Sequence, residues 1–337
     1  MPETKLIKTG NYIIKFLIII LSFGFIAYRI FYKENISELS ASFMKIISGR
    51  ISFAVLVAVF FMMLLNWSVE SIKWQYLVRK IERVTFFRSF MAVWAGLTIG
   101  AFTPNRTGEY FGRAFILEKA NRWEGIFITF TGSLGQLLST LLFGSIAGFF
   151  FLSLLQQGSF GETPVVLNIM LGLSVVMAFF VSVLYFRIEL LKKNFQKLIP
   201  RKYSLFRSHF DVYSNYSTKE LLIAFLFSSI RYMIFTMQFY ILIRLCNIDI
   251  PPGEGIMIVS CIFLVMSAIP TFALTELGVR GSVSILLLDM YFQNQSKQIP
   301  DLASGTLLAC FLIWFINLVI PAINGGFFVF RLKFFRK

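Results

Sequence analysis

Eight apolar stretches run along this chain, and six of them are long enough to cross a lipid bilayer. A transmembrane helix needs about 20 consecutive, mostly apolar residues. Only 15% of the chain is charged, well below the roughly one quarter of a soluble domain, so the long runs predict membrane spans. The sequence therefore predicts an all-α polytopic membrane protein. The six predicted spans are 12–32, 51–70, 125–155, 165–186, 221–243 and 302–330.

Two further apolar stretches are shorter and end at a proline. Stretch 88–103 stops at Pro104, and stretch 254–270 includes Pro270 as its last residue. Proline donates no backbone hydrogen bond and disfavours helix in the residue before it. Each stretch is followed by charged residues and a second short segment. We predict that both enter the membrane and return on the same side, as re-entrant helical hairpins. The predicted hairpins are 88–116 and 254–292.

Lysine and arginine are distributed very unevenly under this topology. The four segments on one side hold 24 of the 32 Lys and Arg residues, and those on the other side hold 6. Cytoplasmic loops carry an excess of these residues. We therefore expect the protein in the inner (cytoplasmic) membrane of the cell, with both termini in the cytoplasm. Large residues, not a small-x-small cleavage site, follow stretch 12–32, so we expect it to be retained as an anchor.

The residues that usually carry catalysis and metal binding are scarce. Three cysteines, Cys246, Cys261 and Cys310, lie far apart, and the single histidine is His209. Such a set favours neither a metal or haem site nor a histidine-activated nucleophile, so we expect no cofactor and no enzyme. The net charge of +15 follows from the cytoplasmic loops, so we expect no nucleic-acid partner. Homo-oligomerisation stays open.

The order of spans and hairpins repeats in inverted orientation. We interpret residues 1–337 as one integral membrane domain with a first half at 12–155 and a second half at 165–330. Inverted repeats with interrupted helices in matching positions are typical of transporters, whose substrate site lies between the repeats. Chance is the alternative, because short apolar runs and prolines are common in membrane proteins.

The first hairpin tip is rich in charge. Arg106, Glu109 and Arg113 are spaced i, i+3 and i+7, which predicts one shared helical face. The Glu109–Arg113 spacing predicts an ion pair, and Arg106 is then left over, which makes this tip net positive. Asn105 or Thr107 can cap the following helix.

The second hairpin tip has a similar plan. Glu276 and Arg280 are spaced i, i+4, and Thr275 is a candidate cap. Charges at membrane depth cost about 2.5–3.5 kcal/mol each, so they are expected to pair or to serve a function. Arginines beside a helix N-terminus suit a phosphate or another anionic headgroup. Two structural ion pairs that pin the hairpins to neighbouring spans are the alternative.

Other polar residues lie within the predicted spans. Arg231 either lines a headgroup path, snorkels to the membrane surface, or pairs with Glu70 or Asp289. Gln136, Gln238 and Asn317 are typical of hydrogen bonds between helices. The tryptophans Trp67, Trp74 and Trp123 lie near predicted span ends, where such residues commonly anchor a protein at the membrane surface.

The tip motifs resemble a known family. Pro104 to Glu109 with Arg113, and Glu276 to Gly281, resemble the transmembrane region of the lysylphosphatidylglycerol synthases, over roughly 12–330. These are the multiple peptide resistance factors and their stand-alone flippase-like relatives. The resemblance implies movement of an anionic or aminoacylated lipid between leaflets, through a pocket at Arg106 and Arg113. It also implies that Gly108, Glu109, Gly278 and Arg280 line that pocket. The soluble aminoacyl-transferase domain is missing, so we expect no lysyl transfer.

Three functions stay open from the sequence. The first is a non-enzymatic translocase or scramblase for an anionic, aminoacylated or polyprenyl-linked lipid, with membrane lipids as its partners. The second is an intramembrane enzyme of lipid or glycolipid metabolism, with Glu109 or Glu276 as general base. The third is an assembly subunit in which the tips only pack. The candidate substrate-binding residues are Arg106, Gly108, Glu109, Arg113, Arg231, Thr275, Glu276, Gly278 and Arg280.

Overall fold

The computed structural model describes residues 50–101, 103, 106–157, 165–187, 216–270 and 275–330. Every regular element in these ranges is helical, which confirms the all-α prediction. The helices are α1 (Arg50–Val78), α2 (Phe86–Gly100), α3 (Gly108–Ala114), α4 (Arg122–Gln157), α5 (Val165–Phe186), α6 (Thr218–Leu245), α7 (Pro252–Ala268), α8 (Thr275–Asn294), α9 (Leu302–Trp314) and α10 (Ile320–Val329), with a π-helical turn (Phe315–Val319) between the last two.

Five helical stretches are long and apolar enough to cross a membrane. Four of them are α1 from Ser52 onward, α4, α5 and α6, and the fifth joins α9, the π-helical turn and α10 into Leu302–Val329. The protein is therefore a polytopic membrane protein. These five correspond to five of the six predicted spans, and 12–32 lies outside the described residues. The predicted end of span 51–70 is wrong, because α1 continues to Val78.

Local sequence explains where several helices begin. The Thr85 side chain accepts a hydrogen bond from the Arg88 N–H at the start of α2. At the start of α6, Ser217 and Glu220 form a reciprocal capping box. Helix α7 begins at a Pro-Pro pair, and proline is well accommodated in a first helical turn because its missing N–H has no partner there anyway.

Helices α2 and α7, the first legs of the predicted hairpins, contain 15 and 17 residues, fewer than the about 20 of a typical span. Helix α2 packs against α3, and α7 packs against α8. In the first hairpin the legs touch through glycines: a Cβ on Gly112 would lie 2.6 Å from the Cα of Gly96. That the chain returns to the side of entry stays a prediction.

The first leg of each predicted hairpin packs most extensively on a span from the other predicted half. Helix α2 packs against α10, whereas α7 packs against α4. Helices α1 and α6, which the predicted inverted repeat makes equivalent, pack against each other. The residues that begin the second legs also meet, because Arg106 forms a salt bridge with Glu276. The division into halves at 12–155 and 165–330 stays a prediction.

Candidate functional site

A cavity of about 520 Å³ lies where the hairpin tips meet α1, α4, α6 and the π-helical turn. Its wall contains an unusual number of charges for the interior of a membrane bundle. Five cationic side chains and three carboxylates line it, so the formal net charge of the wall is +2. The charged lining residues are Glu70, Lys73, Arg106, Glu109, Arg113, Arg231, Glu276 and Arg280.

Glu70 on α1 is the centre of the buried charge network. Its Oε1 accepts from Arg113 Nη1 at 2.5 Å, and its Oε2 lies 2.6 Å from Arg231 Nη1 and 2.7 Å from Lys73 Nζ. One carboxylate thus faces three cations, from α1, α3 and α6. Because a buried charge is tolerated only when it is paired, Glu70 makes this concentration of cations compatible with the fold.

Lys73 is fully buried, although the sequence places it in a cytoplasmic segment. Besides Glu70, its ammonium group donates to the carbonyl oxygen of Gly132 and to the Ser228 hydroxyl, each at 3.2 Å. It therefore cross-links α1 to α4 and α6. Its assignment to a loop is wrong because α1 does not end with the apolar run at residue 70 but continues to Val78.

Arg231 occupies the wall of the cavity and pairs with Glu70. The alternative partner Asp289 instead accepts a hydrogen bond from Gln293 at 2.7 Å. Arg231 Nε also donates to Asn66 at 2.9 Å, and the guanidinium lies 4.9 Å from the centre of the Trp67 ring. This cation–π contact adds to the ion pair in fixing the arginine.

The two hairpin tips are joined by a salt bridge. Arg106 Nη2 lies 2.7 Å from Glu276 Oε2, although the residues are 170 positions apart. The expectation that Arg106 has no acidic partner is therefore wrong. Arg106 also does not continue the α3 face, because it lies in the turn before that helix with a φ of 55°. Such left-handed backbone in an arginine is strained, and strain of this kind is concentrated at functional sites.

Both ion pairs predicted within the hairpins are present. Arg113 Nη2 lies 2.8 Å from Glu109 Oε2, and Arg280 Nη2 is bonded to Glu276 Oε1. The cap of α3 differs from the expectation. Thr107 occupies the cap position without a side-chain cap bond. The Oγ1 of Thr103 instead accepts from the Gly108 N–H at 2.8 Å.

Several arginine donors in this network lack a partner. The Nε and Nη1 groups of Arg280 and the Nε group of Arg113 are buried and make no hydrogen bond. Only 6% of the Arg280 side chain and 5% of the Arg113 side chain is exposed. Buried donors of charged groups are costly to leave unpaired, so an acceptor from outside the chain would lower this cost.

Six of the nine candidate residues from the sequence line this cavity: Arg106, Glu109, Arg113, Arg231, Glu276 and Arg280. The other three lie elsewhere. Gly108 is buried against α2, where a Cβ would come within 2.5 Å of the Ile99 carbonyl oxygen. Thr275 and Gly278 are exposed on α8.

Glu70 and Lys73 are the charged lining residues that sequence reasoning did not place at the site. The sequence feature that could have identified them is their i, i+3 spacing at the end of an apolar run, which allows an ion pair on one helix face. The expectation of surface anchors is also wrong for Trp67 and Trp74, which are buried. The Trp67 indole donates to the carbonyl of Asn317 in the π-helical turn at 3.2 Å, and the Trp74 indole donates to Thr129 at 3.0 Å.

The remaining polar predictions divide between the site and the helix contacts. Gln136 lines the cavity and accepts from Arg231 Nη1 at 3.3 Å. Gln238 donates to the carbonyl of Val59 at 2.9 Å and so joins α6 to α1, as expected of a hydrogen bond between helices. Within the described ranges, no three His, Cys, Asp or Glu side chains are placed to hold a metal ion.

Fold and site together define a polytopic helical membrane protein with a charged intramembrane cavity between two hairpin tips. The family model of the lysylphosphatidylglycerol synthase TM region matches residues 12–322, which is most of the chain. The protein belongs to this family, as the tip motifs predict. No curated protein and no solved structure gives a significant match.

Proposed function

We propose that this protein is a non-enzymatic lipid translocase that carries an anionic lipid headgroup between the leaflets of the cytoplasmic membrane. The observation that carries the proposal is the surplus of arginine donors in the cavity. Five cations face three carboxylates, and buried N–H groups of Arg280 and Arg113 have no partner. A headgroup phosphate offers the acceptors and the negative charge that this arrangement lacks.

The arrangement favours an exchangeable ligand over a purely structural network. A network that only stabilises the fold gains most when every buried donor is satisfied, because each unsatisfied group is a cost. Here the structural pairs are complete at Glu70, whereas Arg280, which lines the cavity, keeps two buried donors without a partner. The arginine can therefore bind an incoming anion without first breaking its bond to Glu276.

Movement across the membrane, rather than static binding, is supported by the position of the cavity between the hairpin tips. Interrupted helices that meet at the centre of a bundle form the substrate site in transporters built from inverted repeats. We propose that this chain likewise consists of two inverted repeats with the substrate site between them, and that both termini lie in the cytoplasm. The family membership is consistent with a lipid as the substrate.

The proposal is tested by leaflet exchange in proteoliposomes, with a short-chain fluorescent phosphatidylglycerol as the probe. The site variant is Arg280→Gln, in which Glu276 keeps Arg106 as a partner, so folding is retained. The matched control is Arg83→Gln, which removes an exposed arginine between α1 and α2. We expect fast exchange in wild type and control, and at least a tenfold slower rate in the site variant.

Two results would argue against translocation. No exchange by well-folded wild type would exclude unaided lipid movement. Equal rates for wild type and Arg280→Gln would exclude the cavity as the path. Chemical conversion of the probe lipid, followed by chromatography of the extracted lipids, would instead indicate the intramembrane enzyme.

A further inference from the structure

A second cavity, of about 760 Å³, forms a groove between α4, α6 and α7. Its wall is mainly apolar, and several of its side chains are exposed on the outer surface of the bundle, including Ile146, Phe150 and Met233. In a membrane this groove is therefore open to the surrounding lipid. It belongs to a different part of the fold from the eight charged residues.

Tyr232 on α6 lines both the groove and the charged cavity. Its ring is stacked on Phe143 with the centroids 5.2 Å apart and meets the edge of Phe263 at 6.1 Å. The ring is thus held between α4 and α7. It marks the junction at which the charged cavity ends and the apolar groove begins.

Two hydroxyl groups at this junction are buried without a hydrogen-bond partner. Tyr232 Oη and Thr236 Oγ1 lack one, although only 5% of Tyr232 and 3% of Thr236 is exposed. Both Ser260 and Thr236 lie near the tyrosine hydroxyl, but no bond within normal geometric limits joins either of them to it. Residues four apart share a helix face, so both hydroxyls are on the groove side of α6. Buried hydroxyls usually have partners, and these two are placed to donate to a ligand.

The wall therefore presents three chemistries in order: arginine donors, neutral hydroxyl donors and an apolar groove. A glycerophospholipid has the matching order of phosphate, ester carbonyls and acyl chain. We propose that the Tyr232 and Thr236 hydroxyls bind an ester carbonyl of a diacyl glycerophospholipid, whose acyl chain lies in the groove. The ester site names the substrate class of the proposed translocase. It depends on the proposed function only because it places the lipid phosphate in the charged cavity.

The ester site distinguishes two lipid classes that the sequence leaves open. A polyprenyl phosphate carries its apolar chain directly on the phosphate and would leave both hydroxyls unpaired. A site whose buried polar groups stay unpaired discriminates strongly against such a ligand. A diester lipid satisfies them, so the protein should prefer it.

The experiment measures equilibrium binding to purified protein in detergent micelles, without transport. The probes are a diacyl phosphatidylglycerol, its dialkyl ether analogue, a polyprenyl phosphate and the soluble headgroup analogue glycerol phosphate. The site variants are Tyr232→Phe, Thr236→Val and the double substitution. The control is Tyr240→Phe, which deletes a hydroxyl that donates to the Ile250 carbonyl at 3.2 Å, away from both cavities.

We expect wild type to bind the diester about tenfold more tightly than the ether, the effect of one or two hydrogen bonds. The double variant should bind both about equally, and Tyr240→Phe should keep the wild-type preference. The melting temperature also distinguishes the unpaired Tyr232 hydroxyl from the hydrogen-bonded Tyr240 hydroxyl. Tyr232→Phe should not lower the melting temperature, because no bond is lost, whereas Tyr240→Phe should.

Equal binding of diester and ether by wild type, or an unchanged preference in the double variant, would overturn the ester site. Polyprenyl phosphate or glycerol phosphate binding as tightly as the diester would also overturn it. An ester preference in a protein that moves no lipid would support the site and contradict translocation alone.

Discussion

Arg106 and Glu276 join the two hairpin tips through an ion pair of 2.7 Å. Glu276 also binds Arg280, so one carboxylate occupies two of the arginines that line the cavity. An anionic headgroup that binds the unpaired donors of Arg280 brings a second negative charge next to Glu276 and so competes with this carboxylate for the positive charge of the two arginines. The tip contact and the binding site are thus made from the same residues, which predicts that occupancy and tip separation are coupled.

Removing the Glu276 charge should make the protein depend on its ligand. In Glu276→Gln the formal charge of the cavity wall rises from +2 to +3, and Arg106 and Arg280 lose the carboxylate that they share. We expect a lower melting temperature when the cavity is empty and a larger stabilisation by phosphatidylglycerol than in wild type, measured by thermal shift in detergent.

The control for this measurement is Glu220→Gln, which removes a carboxylate paired with Arg79 and Lys80 outside the cavity. It should leave the ligand-induced stabilisation at the wild-type value. The same stabilisation in Glu276→Gln as in wild type would show that this carboxylate does not compete with the lipid.

Among the charged residues of the cavity, substitution of Glu70 should lower the stability of the folded protein most. In Glu70→Gln three buried cations lose their shared carboxylate, and breaking a buried pair from one side costs about 3–5 kcal/mol. The melting temperature in detergent should fall far more than for Glu118→Gln, whose side chain is half exposed. Adding Lys73→Met to Glu70→Gln should restore part of the loss, because one unpaired cation is removed. A stable Glu70→Gln single variant would contradict the central role of this residue.

Glu82 should give the protein a measurable pH dependence. Burial alone would raise the pKa of Glu82, but hydrogen bonds from the backbone N–H groups of Ala120, Lys119 and Glu118, together with Arg88, hold it below its ordinary value of 4.5. Its ionised form thus stabilises the folded protein above pH 4.5, and this contribution is lost as the pH falls through the lowered pKa.

We therefore expect Glu82→Gln to melt below wild type at neutral pH, and the gap to narrow as the pH falls below 4.5. Melting curves of both proteins across this range measure it. A gap that is independent of pH would show that the loss comes from packing, not from ionisation.

The two glycines implied as pocket residues by the family resemblance should respond oppositely to alanine. Gly108→Ala places a Cβ within 2.5 Å of the Ile99 carbonyl oxygen and should cost about 1–3 kcal/mol through overpacking. Gly278→Ala meets no atom within 4 Å, lies in α8 and should stabilise the helix by about 0.5–1 kcal/mol. Melting temperatures decide both, and a tenfold loss of lipid binding in Gly278→Ala would instead place that glycine at the ligand.

Local rules account for much of the fold and for part of the site. The length of the apolar runs predicts the five spans found in the described residues. The i, i+4 spacing predicts the Glu109–Arg113 and Glu276–Arg280 ion pairs. Both depend on residues close in the chain. The contact of Arg106 with Glu276 depends instead on how α2 and α7 pack against the other half, which sequence spacing does not encode.

The burial of Lys73 has a similar cause. A lysine after an apolar run looks like the start of a loop, and only the packing of α4 and α6 around α1 supplies its acceptors. The partner of Arg231 could be narrowed to two acids from the sequence, but the choice of Glu70 over Asp289 follows from the pairing of α1 with α6.

The pairing of Arg231 with Glu70 also bears on how the protein is made. The ribosome delivers Glu70 to the membrane 161 residues before Arg231, so the acceptor is in place when the arginine arrives. Helix α6 would otherwise carry an isolated charge into the hydrocarbon, at a cost of about 2.5–3.5 kcal/mol. Residues that enter the membrane first can thus supply the partner that lowers the cost of inserting α6.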